Sequence, residues 1–215
     1  MIEPNILNTK GSLVSECLAC LRDEQQQKNP TLFRAQLKKV GQIMAYEISK
    51  TFHYERKNIP TVLGVAEEFR CTDEIVLISI LRAAAPMTDG FAEMLPEAKI
   101  GMIGAMRKES DNIEIDLSYI AIPDLTNKRV IVIDPMLATG KSMVKTVDTL
   151  LEKGTPSNLD IACLVSAPEG IEHLNQNISV PFQLWTCAKD DHLNEQRYII
   201  PGLGDAGDLS FGQKL

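Results

Sequence analysis

The stretch Arg129–Met143, RVIVIDPMLATGKSM, decides how the rest of the chain is read. Its front is a β-branched apolar run that ends on Asp134, the pattern of a strand buried on both faces. From Lys141 onward the pattern changes period. Met143, Val144, Val147, Leu150 and Leu151 share one helical face, and Gly154 stands where a helix would end. A strand that feeds a helix through a short loop makes an anion site. The first N–H groups of the helix lack internal partners, and the helix dipole adds about half a positive charge there. Gly140 lets backbone approach a phosphate closely, and Thr139 and Ser142 add hydroxyl donors.

Gly140-Lys141-Ser142 also matches the tail of the nucleotide-binding loop G-x-x-x-x-G-K-[ST]. The front of that motif is missing. Pro135 stands at the first glycine position and supplies neither the N–H nor the turn. Asp134 places a carboxylate at the mouth of the loop, which repels a triphosphate but accepts hydrogen bonds from sugar hydroxyls. A P-loop kinase is therefore disfavoured, and a sugar phosphate is the better ligand.

Outward from this loop, residues 74–80, 99–105 and 159–167 are further short apolar runs, with helical patterns at 84–95 and 141–154. The alternation predicts an α/β domain with a mainly parallel sheet flanked by helices. Ligands of such sheets bind outside the carboxyl ends of the strands. Those ends carry Arg82, then Arg107 and Lys108, then Asp134, then Ala167–Gly170. Upstream, 12–27 and 30–51 read as helices, with Pro30 at a helix start, and 52–73 as a hairpin or arm. Downstream, Tyr198–Ile200 reads as a strand. PGLGDAGD after it holds Gly202, Gly204 and Gly207, a tight loop whose exposed backbone groups suit the edge of a flat, uncharged base.

The 215 residues suit one domain, and a net charge of −7 argues against a general nucleic-acid binder. The N-terminus lacks the pattern of a signal peptide, and no apolar run approaches the roughly 20 residues of a membrane span. The cytoplasm is the expected location. Five cysteines, an odd number, fit a reducing compartment. Cys17 and Cys20 form a C-x-x-C, but they fall on a helical stripe with no second ligand pair, so a packing role is expected. His53, His173 and His192 show no metal-ligand spacing.

The acid-ended strand followed by a Thr-Gly loop resembles the type I phosphoribosyltransferases. DPMLATG, with Pro after the acid, is similar to the loop of the uracil phosphoribosyltransferases. ILRA at 80–83, APEGI at 167–171, and YIIPGLGDAGD at 198–208 followed by FG at 211–212 are similar to the same family. The resemblance covers about residue 30 to the C-terminus and leaves 1–28 as an N-terminal helical extension, a candidate dimer contact. It implies a single domain with a small hood built from about 182–215 and the arm. It implies transfer of the phosphoribosyl group of 5-phosphoribosyl-1-pyrophosphate (PRPP) to uracil, giving UMP and pyrophosphate, with Mg²⁺ carried mainly by PRPP. Asp134, Pro135, Met136, Leu137, Ala138, Thr139, Gly140, Lys141 and Ser142 would hold the ribose phosphate. Arg82 and Arg107 would hold pyrophosphate. Ile199, Gly204, Asp205 and Ala206 would bracket uracil, with Asp205 near the metal and reaching it through water. A homodimer or larger homo-oligomer and a GTP effector are further implications.

Three positions depart from the family pattern: Lys141 for a second glycine, Ala84 for a glycine, and Met106 for a tyrosine. They motivate an alternative, a catalytically weakened relative that binds PRPP or UMP in a regulatory role.

Overall fold

The computed structural model describes residues 2–108 and 114–213; the side chains of 105–117 are outside the description. In chain order the elements are β1 (Asn5–Ile6), α1 (Leu13–Arg22), α2 (Pro30–Ser49), β2 (Tyr54–Thr61), β3 (Gly64–Cys71), β4 (Ile75–Leu81), α3 (Ala85–Met94), β5 (Lys99–Lys108) and β6 (Glu114–Ala121). There follow β7 (Arg129–Ile133), β8 (Met136–Leu137), α4 (Lys141–Leu151), β9 (Asn158–Ser166), α5 (Pro168–Asn177), β10 (Gln183–Lys189), β11 (His192–Leu193), β12 (Ile199–Ile200) and α6 (Ala206–Phe211).

The main sheet runs β1-β10-β9-β7-β4-β5-β6, with β8 joined to β9. Its pairs are parallel except β5 with β6. The expected mainly parallel α/β sheet is thus present. Period-two alternation sorts its side chains. From β7, Ile131 and Ile133 enter a core with α1, α2 and α3, while Val130 and Val132 enter a core with α4 and α5.

Helix α2 starts where the sequence requires: Asn29 Oδ1 accepts from the Thr31 and Leu32 N–H groups, and Pro30 takes the first helical position. It crosses α3 with backbones almost touching. A Cβ added at Gly41 would lie 2.1 Å from Met87 O, and one at Gly90 would lie 2.0 Å from Lys38 O. Only glycine fits either position.

Several elements differ from expectation. Asp134 follows its strand and does not end it. Strand β5 continues through Lys108, so Arg107 and Lys108 lie within the strand and pair with Ile115 and Glu114, where loop residues were expected. β10 belongs to the main sheet, so the expected hood range, from 182, starts too early. α5 was not anticipated, because of its ten residues only Gly170, Ile171 and Leu174 are buried. The N-terminal segment is integral. β1 extends the sheet beside β10, and α1 buries Val14, Cys17, Leu18 and Leu21 in the core. Residues 54–71 form a two-stranded hairpin whose turn residues Val62 and Leu63 are fully exposed.

At the amino end of the sheet the quoted stretch begins with a buried charge. Arg129 is 1% exposed. Its Nε donates to Asp160 Oδ2 at 2.8 Å, and its Nη atoms donate to Thr51 O at 2.9 Å and Thr51 Oγ1 at 2.6 Å. Trp185 Nε1 donates to the other oxygen of Asp160 at 3.0 Å.

Candidate functional site

The loop after β7 is held by its own backbone. Asp134 N–H donates to Ala162 O at 3.1 Å, and its Oδ1 accepts from Met136 N–H at 3.3 Å, a local turn of the kind Asp favours. Pro135 O accepts from Leu164 and Val165, and Leu137 O from Ala167. Residues 135–137 are thereby fastened to β9. Gly140 then takes a left-handed conformation, φ +74°, and caps α4, whose first residues are Lys141 and Ser142. The unpartnered N–H groups that open α4 stand at the carboxyl edge of the sheet, the anion geometry the sequence implied.

A second helix supports this loop. The first turn of α5 lies against it so closely that a Cβ at Gly170 would be 2.3 Å from Ala138 O, and one at Gly140 would be 2.9 Å from Gly170 O. The glycine of APEGI is needed there for close approach.

After β4 comes Arg82. Its Nη2 donates to Asp208 Oδ1 at 2.9 Å and to Gly212 O at 2.8 Å, and the guanidinium lies 5.9 Å from the Phe211 ring centroid. Its Nε is buried and has no hydrogen-bond partner among the described residues. The loop after β4 is thus joined to α6. Ala84 follows with φ −74°, an ordinary helical backbone, and is fully buried in the core around α2 and α3. The methyl group that replaces a glycine is accommodated there. Lys141 is exposed at the start of α4. Met106 and Arg107 have side chains outside the described residues.

The segment expected to form the hood follows β10. β11 and β12 pair antiparallel, with Leu193 opposite the buried Ile199. Glu169 Oε1 accepts from Leu193 N–H at 2.9 Å, which ties α5 to this hairpin and holds the Glu169 carboxyl below its usual range. Next come Gly202 and Leu203, buried, then Gly204 and Asp205, exposed, then Ala206, buried. Asp205 caps α6 by accepting from Asp208 N–H at 2.9 Å. A Cβ on Gly207 would be 3.9 Å from that of Ala83, so the hood loop adjoins the loop of Arg82.

The structure therefore gathers Arg82, Asp134–Ser142 and the 199–206 loop around the carboxyl ends of β4, β7, β9 and β10. Sequence reading missed Asp190, Arg22, Gln27 and Arg34, which hold the hood from the far side. Arg22 Nη2 donates to Asp190 Oδ1 at 2.7 Å, Gln27 Nε2 to Leu203 O at 2.8 Å, and Arg34 Nη1 to Ser210 O at 2.6 Å. No local motif marks such long-range bonds.

Comparison with known proteins agrees with this geometry. The family model of uracil phosphoribosyltransferase matches residues 8–213, which takes in most of the N-terminal segment as well. A uracil phosphoribosyltransferase of Porphyromonas gingivalis is 38% identical over 211 residues, spanning 97% of this chain and 98% of that protein. One from Thermococcus kodakarensis is 36% identical over 205 residues, 94% and 88% of the two chains. Among solved structures, the AQ2163 protein of Aquifex aeolicus superposes with a TM-score of 0.88 at 29% identity, covering 99% of this chain and 98% of its own. The chain belongs to the uracil phosphoribosyltransferase family.

Proposed function

We propose that the chain transfers the 5-phosphoribosyl group of PRPP to uracil, releasing pyrophosphate and forming UMP in pyrimidine salvage. The observation that carries this reading is that two backbone-built loops share one core cluster, through Ala138 on one and Ile199, Leu203 and Ala206 on the other. One is the Asp134–Ser142 loop that opens α4; the other is the 199–206 loop, which exposes Gly204 and Asp205.

In this reading Asp134 accepts the ribose hydroxyls, and Pro135–Ser142 cradle the 5-phosphate with helix N–H groups and hydroxyls. Arg82 and Arg107 hold pyrophosphate, since a guanidinium matches two phosphate oxygens at once. Ile199, Gly204, Asp205 and Ala206 present backbone groups to uracil. The bond from ribose C1 to pyrophosphate breaks, the bond from C1 to uracil N1 forms, and the N1 proton passes to solvent. Positive charge grows on the ribose as the leaving group departs. The chain's part is to hold the base in line and to stabilise charge on pyrophosphate.

Among the described residues no three His, Cys, Asp or Glu side chains converge on one point. Mg²⁺ commonly keeps its waters and uses one or two carboxylates plus substrate phosphates, so the carboxylates Asp134 and Asp205 suit an ion brought by PRPP. When bound, Mg²⁺ would neutralise charge on the departing pyrophosphate.

The regulatory-relative alternative loses one of its grounds, because Ala84 is buried in the core with helical backbone. Among the described residues no helix is long and apolar enough to cross a membrane, which fits cytoplasmic salvage. A homo-oligomer is part of this reading: a lone hairpin is marginal in water, and the one at 54–71 exposes Val62, Leu63, Val65 and Phe69.

The test is UMP formation from uracil, PRPP and Mg²⁺ by the purified chain, with cytosine, hypoxanthine and orotate as controls. Turnover with uracil alone is expected. Turnover with another base and not with uracil, or none with any base, overturns the reading.

A further inference from the structure

The donors that reach the hood from the N-terminal segment do not act on it evenly. Arg22 and Asp190 hold Gly202: Asp190 Oδ2 accepts from Gly202 N–H at 2.9 Å while its Oδ1 accepts from Arg22 at 2.7 Å. Gln27 holds the next peptide unit. Its amide nitrogen donates one hydrogen to Leu21 O at 2.6 Å, at the end of α1, and the other to Leu203 O at 2.8 Å. Both amide hydrogens are used, and both acceptors are carbonyls.

The Leu203–Gly204 peptide is not among the cis bonds of the chain and is therefore trans. In a planar trans peptide the C=O of one residue and the N–H of the next point in opposite directions. When Gln27 draws the Leu203 carbonyl inward, the Gly204 N–H is turned outward, away from α1. Gly204 is exposed and has φ +90°, a conformation that glycine adopts without strain. Leu203 is 5% exposed and Ala206 1%, so the loop is pinned on either side of the outward peptide.

We infer that Gln27 is a positioning residue for the base site: through the Leu203 carbonyl it aims the Gly204 N–H at a carbonyl oxygen of the pyrimidine. The inference rests on the phosphoribosyl-transfer reading above. It gives the N-terminal segment a part in base recognition without contact with the base.

The experiment compares wild type with Gln27→Met, which keeps the length of the side chain and removes both donors, and with Gln27→Glu, which sets a carboxylate against the two carbonyls. KM for uracil and for PRPP are measured separately, with the melting temperature and the amide hydrogen exchange of residues 199–209 in protein free of substrates. Loss of one hydrogen bond to a buried carbonyl is expected to raise the uracil KM about tenfold, with the PRPP KM within about twofold. Exchange at Gly202, Asp208 and Leu209, whose N–H groups are hydrogen-bonded in the wild type, should quicken. Unchanged uracil KM and unchanged exchange in both variants overturn the inference. So does a parallel rise of both KM values with a lower melting temperature, which is what a merely structural role gives. A wild-type chain that forms no UMP overturns the functional reading itself, and that result is seen before any variant is compared.

Discussion

Arg82 Nη2 lies 2.9 Å from Asp208 Oδ1, which links the loop after β4 to the C-terminal helix. The same guanidinium is the proposed ligand of pyrophosphate. Asp208 and PRPP therefore draw on one set of donors. The pair is partly exposed, so its attraction is modest. Asp208→Asn keeps an acceptor and removes the charge. It should lower the KM for PRPP by about two- to fivefold at low ionic strength, with the difference fading as salt rises. Initial-rate measurements at two salt concentrations check this.

Asp134 serves two purposes that one substitution separates. Its Oδ1 accepts from Met136 N–H, a bond that the amide oxygen of Asn also makes. Asp134→Asn should keep the melting temperature within a few degrees while turnover falls about a hundredfold, because a charged acceptor for the ribose hydroxyls is gone. Near-normal turnover in that variant would show that the ribose binds elsewhere.

Gly170 is a sharper test of the phosphate loop than any residue in the loop itself. A Cβ there would meet Ala138 O at 2.3 Å and Leu137 O at 3.0 Å, both backbone atoms. Gly170→Ala must displace the loop or α5, at a cost of about 1–3 kcal/mol in stability. The KM for PRPP should rise about tenfold or more, since a displacement near 1 Å in a positioned site is costly. Thermal unfolding and initial rates together check it.

Arg129 and Asp160 are each 1% exposed and are bonded at 2.8 Å. Asp160→Ala leaves a guanidinium buried with its Nε bond lost and removes the acceptor of Trp185. Breaking one partner of such a pair should cost about 3–5 kcal/mol. Trp185 is the sole tryptophan, so its fluorescence follows both the local change and the unfolding. Activity of the folded fraction should survive, because this network stands at the amino ends of the strands.

Asp73 closes the root of the hairpin. Burial alone would raise its carboxyl. Hydrogen bonds from the His53 ring and backbone, with Arg129 behind them, bring it below its usual range. A carboxyl lowered in the folded state contributes stability above its unfolded value, about pH 4, and loses that contribution as pH falls through the folded value. Asp73→Asn should therefore flatten the acid limb of the stability curve. Denaturant midpoints from pH 6 to pH 2.5 would register it.

Two kinds of signal governed what the sequence made readable. Runs such as Val130–Ile133 and Ile75–Leu81 announce strands because both faces are buried, and Gly140 with Thr139 announces an anion loop because few residues serve that geometry. β10 escaped notice although it lies between β1 and β9. Its Gln183, Thr186 and Lys189 interrupt the apolar run, and it follows a Pro-containing turn. The burial of Arg129 carried no sequence signal. Its burial depends on Asp160, Thr51 and Phe52, which are brought near only by the fold. Gln27 and Arg34 were invisible for the same reason: each bonds to a carbonyl 176 residues away, and carbonyls carry no sequence signature. Ala84 departs from the family pattern, where a glycine stands. The helical backbone at that position shows that an L residue belongs there.

The meeting of Gly41 with Gly90 bears on how two parts of the molecule are held to one frame. The loop of Arg82 runs directly into α3, while α2 carries Arg34 and begins just beyond Gln27. Since α2 and α3 touch backbone to backbone, neither slides along the other without a collision of carbonyls. The loop of Arg82 and the side chains that hold the 199–206 loop from below thus rise from one foundation. The 190–212 segment is fastened to that foundation at several points: the Arg22–Asp190 ion pair, Gln27 on Leu203, Arg34 on Ser210, and Arg82 on both Asp208 and Gly212.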